Sequence, residues 1–246
     1  MTKTGMTKIG ALDRARHAAL RLHPTPDVER LRYALIGLSE LTTACADFPI
    51  CLAKDAQTGR FNLITLFSLE EPRNLFWLAQ RWQATYLPQA AMTAPFLLDA
   101  NTELGLAIDE NSPRLGREGL PLFEADGRPT GVVSEARARL QRVTSDVADA
   151  QLMVDRFAEL RLIRPLAVVL TRKNGTEHQI EGLYSLGSNA LAALSDDVVV
   201  NLYRLGYIAA ASIMRASLSQ IERLRQLHNL SGTEPFVDLR VQVLES

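Results

Sequence analysis

Hydrophobic positions along this 246-residue chain change period several times, and the changes mark out its elements. The most regular stretch runs from about Ser134 to Leu160. There Ala136, Leu140, Val143, Val147, Ala150, Val154 and Phe157 alternate spacings of four and three. That is a heptad seam and predicts one long helix. Glu135, Arg139, Arg142, Asp146, Asp149 and Arg156 fall on the other face, mixed in sign and suited to solvent. The seam can pack on a sheet of its own chain or pair with a second chain. The small Ala136 and Ala150 and the short run of heptads favour packing within the chain.

Period-two and short apolar runs predict strands. Ile50–Ala53 and Phe61–Leu69 flank the polar loop Lys54 to Gly59 and read as a hairpin. Leu75–Trp77 reads as a third strand after a turn at Glu70–Asn74, and Phe96–Leu98 and Leu104–Ile108 as two more. Leu166–Thr171 and Gln179–Tyr184 bracket Asn174-Gly175, a hairpin signal because both residues tolerate positive φ. Val237, Leu239, Val241 and Val243 alternate with Asp238, Arg240 and Gln242, the pattern of a half-buried strand.

Further helices are expected where caps precede helical spacing. Thr25-Pro26-Asp27 opens one that carries Val28, Leu31, Leu35, Leu38 and Cys45 and stops before Pro49. A short one is expected around Thr85–Met92. Ser195-Asp196-Asp197 starts another, ended by Gly206, and a last helix runs from about Ile208 to Leu230. Residues 109–131 carry three Pro and four Gly and form a long irregular segment, ordered because Leu115, Leu122 and Phe123 need burial. The fold class is therefore α+β: mainly antiparallel sheet built from hairpins, with a long helix and a C-terminal helical part packed against it. Residues 1–24 are expected as a mobile N-terminal arm with a short helix around Asp13–Leu22. Residues 25–246 form one domain, with any sub-boundary near 131–165.

Composition narrows the function classes. Hydrophobic residues make up 47% of the chain, ample for a core, and the formal net charge is −1. Lys+Arg is 27 against Asp+Glu 28, without the basic excess that phosphate neutralisation needs, so nucleic acid is set aside. No apolar run approaches the roughly 20 residues that span a bilayer, and the opening MTKTGMTKIG has no signal-like apolar stretch. A cytoplasmic location is expected. Cys45 and Cys51 make no disulfide framework and no C-x-x-C motif, and read as small buried residues.

Signatures of known chemistry are missing. There is no Gly-x-Gly-x-x-Gly, P-loop, Gly-x-Ser-x-Gly or His-Glu-x-x-His. His17, His23, His178 and His228 show no converging spacing, so neither metal nor cofactor is expected. Two groups remain as binding candidates. Asp109 and Glu110 follow a predicted buried strand and enter the irregular loop, with Ser112 and Arg114 beyond. Side chains at such a strand end can face a cleft, or can close a turn with carboxylates bonded to loop N–H groups and arginines. Trp82 and Tyr86, four apart and beside Arg81, can form a binding surface or a core corner whose OH and indole N–H are satisfied locally.

These residues also carry a family resemblance. The ordered set Asp47-Phe48-Pro49-Ile50, Lys54-Asp55…Thr58-Gly59-Arg60-Phe61, Asn74-Leu75-Phe76, Arg81-Trp82…Tyr86-Leu87-Pro88 and Pro95-Phe96-Leu97-Leu98 is similar to the SapC family of bacteria. So are Ile108-Asp109-Glu110-Asn111-Ser112-Pro113-Arg114-Leu115, Pro121-Leu122-Phe123…Asp126-Gly127, Glu181-Gly182-Leu183-Tyr184 and Leu191…Leu194-Ser195-Asp196. The resemblance spans about residues 10 to 230. It implies an association with surface-layer protein export, and with loci that hold TonB-dependent receptors, tryptophan-halogenase-like proteins and cupin-type hydroxylase-like proteins. It brings no catalytic residues. Asn111 stands where an acid is commoner in the family, which weakens an acid-rich metal site, and Leu35 stands where proline is expected.

Three functional readings follow. The first is a non-catalytic accessory protein that binds a protein or peptide partner in a bacterial surface-layer, export or peptide-modification system. The second is a small-molecule or peptide-modifying enzyme with a pocket around Asp109–Arg114 and the Trp82/Tyr86 aromatics. The third is a structural homo-oligomer built on the heptad helix. The absent signatures lean against an enzyme.

Overall fold

The computed structural model describes residues 8–70, 73–231 and 234–245. Residues 1–7 of the expected arm and Glu71-Pro72 of the expected turn lie outside them. In chain order come β1 (Ile9–Ala11), α1 (Arg14–His17), β2 (Arg21–Leu22), β3 (Tyr33–Leu35), α2 (Leu41–Ala44), β4 (Ile50–Lys54) and β5 (Phe61–Leu66). Next are β6 (Trp77–Leu78), β7 (Arg81–Trp82), β8 (Phe96–Leu98), β9 (Leu106–Asp109), β10 (Leu115–Gly116) and β11 (Leu120–Pro121). The long helix α3 (Gly131–Glu159) precedes β12 (Ile163–Arg172), β13 (Glu177–Ile180) and β14 (Leu183–Leu186). Helices α4 (Ser188–Ala192), α5 (Asp196–Arg204), α6 (Tyr207–Ser217) and α7 (Gln220–Leu230) lead to β15 (Phe236–Val243). The fold is α+β with antiparallel pairing throughout.

Two compact units share the chain: residues 8–28 with 89–145, and 29–88 with 146–245. The first unit holds two small sheets, ordered β1-β9-β8 and β10-β2-β11. Its core is Leu12, Leu22, Phe96, Leu106, Ile108, Leu122, Phe123, Val133 and Leu140. The segment 8–24 is thus a strand, a four-residue helix and a strand, with β1 in register against β9 from Ile9↔Asp109 to Ala11↔Ala107. The irregular segment closes on β2 through β10 and β11, which buries Leu122 and Phe123 as their composition required.

The second unit is built on a seven-stranded sheet. The hairpin β4–β5 runs in register from Ile50↔Thr65 to Lys54↔Phe61, and Gly59 takes φ +70° to turn the loop. β12 pairs with β13 and β14, and the register slips by one residue around Gly182 at φ +78°, a bulge only glycine accepts readily. Packed rings of Phe48, Phe67, Phe76 and Trp82 form an aromatic core with centroids 4.7–6.1 Å apart.

Several expected elements differ. No helix runs from Pro26 to Cys45. Tyr33–Leu35 is a strand whose side chains alternate exposed, buried, exposed, and it pairs with β5. Sheet pairing satisfies its backbone where the helical spacing was coincidental. Only a 3-10 turn at Leu38–Glu40 and α2 are helical there. Leu75 and Phe76 are core residues in a loop, and the strands beside them are the two-residue β6 and β7 around Ala79-Gln80, both at positive φ. The expected helix at 85–92 is a 3-10 turn at Gln89–Met92. The expected final helix is two, α6 and α7. They break where Ser217 Oγ donates to Met214 O and accepts from Ile50 N, a tertiary bond that ends the first.

Helix α3 spans the predicted seam. Leu140, Ala150, Val154 and Phe157 are buried, and Ala136, Val143 and Val147 are half-buried. Asp146, expected in solvent, instead accepts from Ser39 N at 2.9 Å and Ser39 Oγ at 2.6 Å. Its carboxylate lies so close to Gly37 that a Cβ there would meet Oδ2 at 1.9 Å.

Candidate functional site

In the second unit the site-forming residues gather at the loop after β7. The aromatic core seats the Trp82 ring, and its indole Nε1 donates to Tyr86 O at 2.8 Å. The Tyr86 hydroxyl donates to Glu40 Oε1 at 2.5 Å, while Gly37 N donates to Glu40 Oε2 at 3.0 Å. Beside them Asp47 is 3% exposed. Its Oδ2 accepts from Thr85 N at 2.8 Å, Thr85 Oγ1 at 2.6 Å and Tyr86 N at 3.2 Å. Its Oδ1 meets the Arg223 guanidinium at 2.5 Å, and Arg223 also donates to Gln83 O and lies 5.4 Å from the Phe76 ring centre. Burial pushes the Asp47 carboxyl up, but the Thr85 and Arg223 hydrogen bonds and the Arg223 charge outweigh it and hold it below its ordinary value. The polar groups of Trp82 and Tyr86 thus fasten the loop.

In the first unit Asp109 ends β9. Its Oδ1 accepts from Lys8 N at 3.0 Å and Asn111 N at 3.1 Å, closing a turn. Glu110 forms an ion pair with Lys8 Nζ at 2.6 Å and with Arg16. The Lys8 hydrogen bond and the Lys8 and Arg16 charges hold its carboxyl below the usual range against the opposing effect of burial. The buried imidazole of His17 has Nε2 3.4 Å from Glu110 Oε1, without hydrogen-bond geometry. Gly10 makes room: a Cβ there would lie 2.9 Å from Glu110 Oε1. Ser112 Oγ accepts from Arg114 N at 3.3 Å.

Arg114 is the unusual member of the set. It is 8% exposed, and among the described residues no carboxylate lies within ion-pair distance of it. Its guanidinium donates instead to His23 O, from Nε at 3.3 Å and Nη2 at 3.1 Å, and to Ala94 O. Burial lowers its pKa, the nearby Arg139 charge lowers it further, and Asp27 opposes both. An open cleft of about 350 Å³ lies alongside, lined by His23, Pro113, Arg114, Arg117 and Glu118 among others. Asp109, Glu110 and Ser112 do not line it. Trp82 and Tyr86 belong to one unit and Asp109, Glu110, Ser112 and Arg114 to the other.

Among the described residues no three His, Cys, Asp or Glu converge as metal ligands. The other histidines engage main-chain groups of other residues: His23 Nδ1 accepts from Thr25 N, His178 Nε2 meets Leu69 O at 3.1 Å and His228 Nε2 meets Glu234 O at 3.3 Å. Burial pushes the Cys51 thiol up to about 12, which removes it as a nucleophile at neutral pH. No helix among the described residues is long and apolar enough to cross a membrane.

Sequence reasoning missed two features. Glu40 and Arg223 belong to no motif, Asp47 stood out only within the family resemblance, and only the fold brings the three to the Tyr86 loop. Helix α5 buries Leu202 alone and exposes Val199, Val200 and, at 74%, Tyr203, with Leu205 exposed just beyond. A signal for it was present: the run Val198-Val199-Val200 is more apolar than one helical face can bury.

A comparison with family models matches the SapC model over residues 12–224. No curated protein and no solved structure matches the chain. The match covers the Asp47 hub, the Asp109–Arg114 turn and α5, and stops short of β15. The chain belongs to the SapC family.

Proposed function

We propose that this chain is a non-catalytic accessory protein that docks a protein or peptide partner in the bacterial cytoplasm, in service of a surface-layer, export or peptide-modification system. The observation that carries the reading is α5, whose Val199, Val200 and Tyr203 face outward from the second unit. Contiguous apolar surface of this kind marks interaction sites, and Tyr is enriched at their energetic centres. The side chains that could have formed a reactive centre support the same reading. Asp47, Glu40, Glu110 and Arg114 are each committed to holding a loop or a terminus of their own unit.

The test is affinity purification of the tagged protein from its native cell, in parallel with Val200→Asp/Tyr203→Asp. Both substituted positions are exposed, so circular dichroism and the melting temperature stay at wild-type values. A protein that co-purifies stoichiometrically with the wild type is lost from the variant. An unchanged set of co-purifying proteins in the variant overturns α5 as the docking face.

One observation favours a second reading, a small-molecule site of enzymic or binding kind. The cleft beside Arg114 is lined by Arg114 and Arg117 against the single carboxylate of Glu118, an excess of positive charge that suits an anionic ligand. A small anion retained through purification and lost in Arg117→Glu supports this reading over the first.

A further inference from the structure

Strand β15 is an outer strand of the seven-stranded sheet. It pairs with β12, from Leu166↔Val243 to Arg172↔Phe236, and among the described residues with no other strand. Leu244 N donates to Pro165 O at 2.9 Å, which sets the alternation along the strand. The N–H and C=O groups of Asp238, Arg240 and Gln242 point to β12, and those of Leu239, Val241 and Val243 point away. No hydrogen bond within the described residues reaches the outward set; α7 touches the strand's backbone only at Phe236, through Arg225 and Asn229. The register against β12 shifts at Val237, the extra residue between Phe236 and Asp238, but the stretch 238–243 beyond it has neither proline nor bulge, two of the devices that close an edge to further strands. Beside it, Leu239, Val241 and Val243 line an open groove of about 420 Å³ with Leu218, Ser219 and Glu222.

We propose that β15 pairs antiparallel with β15 of a second copy of this chain, about a two-fold axis at Leu239, to make one continuous sheet. The register follows from two constraints. Residues opposed across an antiparallel ladder are both hydrogen-bonded or both not, so an outward residue must face an outward residue. That excludes any axis lying between two residues. Of the axes centred on a residue, one at Asp238 sets two carboxylates face to face, and one at Arg240 sets two guanidinium groups face to face. The axis at Leu239 sets Asp238 opposite Arg240 of the second copy, twice by symmetry, in the non-hydrogen-bonded pairs where side chains come closest. An axis at Val241 sets Arg240 against Gln242 and gains no ion pair.

The apolar side agrees with the same axis. Leu239 falls opposite itself, with Val241 next to it on the same face. The Leu239 and Val241 side chains lie on the groove side of the sheet, so the two grooves meet across the axis at Leu239. Among the described residues the Arg240 side chain is held only by Glu177, in an ion pair open to water on both sides, and can turn to Asp238 of the second copy. This inference is independent of the α5 reading, which concerns a different partner and surface.

Sedimentation and amide exchange test it together on the full chain. The wild type runs at twice the 27.2 kDa chain mass, and the Leu239 and Val241 amides exchange slowly. Arg240→Asp places carboxylates opposite each other twice and weakens association by about tenfold or more. Asp238→Arg does the same with guanidinium groups. The double swap Asp238→Arg/Arg240→Asp restores the dimer, which a merely structural loss would not. Each variant's circular dichroism is compared with the wild type to show that it folds. A wild type that stays monomeric at high concentration overturns the proposal. So does a dimer whose Leu239 and Val241 amides exchange fast, since it is built elsewhere. A monomer in which those amides are protected also overturns it, because something other than a second copy then covers the edge.

Discussion

Asp47 and Arg114 are two buried charges that fasten loops, one in each unit, and they are stabilised in opposite ways. Asp47 gathers donors: the Thr85 amide and hydroxyl, the Tyr86 amide, and the full positive charge of Arg223. Arg114 donates only to dipoles, the carbonyl oxygens of His23 and Ala94, while the like charge of Arg139 and the opposite charge of Asp27 act on it from further off. A carboxyl titrates ordinarily at pH ~4, burial raises that value, and a buried carboxylate depends on donors and a counter-charge to remain ionised. A guanidinium holds its proton far more strongly and can stay charged with only neutral acceptors in hydrogen-bond contact. The first arrangement makes Asp47 and Arg223 mutually dependent. The second makes Arg114 a fork whose shape matters as much as its charge.

Removing the carboxylate gives the largest expected effect. Asp47→Ala strands the partly buried Arg223 charge and frees three donors of the 85–86 loop, so it should cost about 3–5 kcal/mol, the range for breaking a buried pair. Asp47→Asn keeps an acceptor for Thr85 and should cost less. Urea unfolding followed by circular dichroism checks both. If Asp47→Ala proves no worse than an ordinary surface substitution, the Asp47 hub does not organise its unit.

Arg114→Lys comes next. The ammonium preserves the charge but cannot bridge His23 O and Ala94 O with one planar fork, so at least one buried carbonyl loses its donor. The expected cost is about 1–3 kcal/mol by the same unfolding experiment. Amide exchange sharpens the result. His23 N donates to Arg114 O at 2.8 Å, and its protection should fall in the variant. Asp146→Ala supplies a more open carboxylate for comparison. It caps the Leu38–Glu40 turn through Ser39 and should cost about 1 kcal/mol, as capping residues do.

The contrast between the two hubs also explains what could be read from the sequence. The β4–β5 hairpin was legible because its polar loop ends in Gly59, and the turn at Asn174-Gly175 for the same local reason. Helix α3 and strand β15 were legible from periodicity alone. What failed depended on distant partners. Tyr33–Leu35 mimics a helical face until β5 lies beside it, and α6 ends where Ser217 meets Ile50, far away in sequence. Of the candidate site, Trp82, Tyr86 and Arg114 stood out as residues with partners to find, but the partners did not. Glu40, Asp47 and Arg223 lie in unrelated stretches, and the acceptors of Arg114 are main-chain oxygens, which no side-chain pattern can announce.

The smallest expected effect is one of pH, and it separates the two hubs most cleanly. Asp47 has a folded pKa held below its ordinary value. At a given acidic pH the unfolded chain therefore binds a proton at this position more readily than the folded one, and stability rises with pH. The contribution is complete above the ordinary carboxylate pKa of about 4 and is lost as pH falls through the lower folded value. It should be smaller than the loss in Asp47→Ala, because a protonated carboxyl still accepts from Thr85 and gives up only the attraction of Arg223. Asp55, Glu110, Asp126 and Glu222 are also held low and add to the acid sensitivity of the wild type. Comparison of wild type with Asp47→Asn cancels those four. The difference in unfolding free energy between the two proteins should narrow as pH drops from 6 toward 3. Added salt should change it little, since the Asp47–Arg223 pair is shielded from solvent on the carboxylate side. Arg114 keeps its proton throughout this range, so Arg114→Lys and wild type should lose stability in parallel. Parallel pH curves for Asp47→Asn and wild type would show that Asp47 draws no net stability from its charge, and would make the two hubs alike.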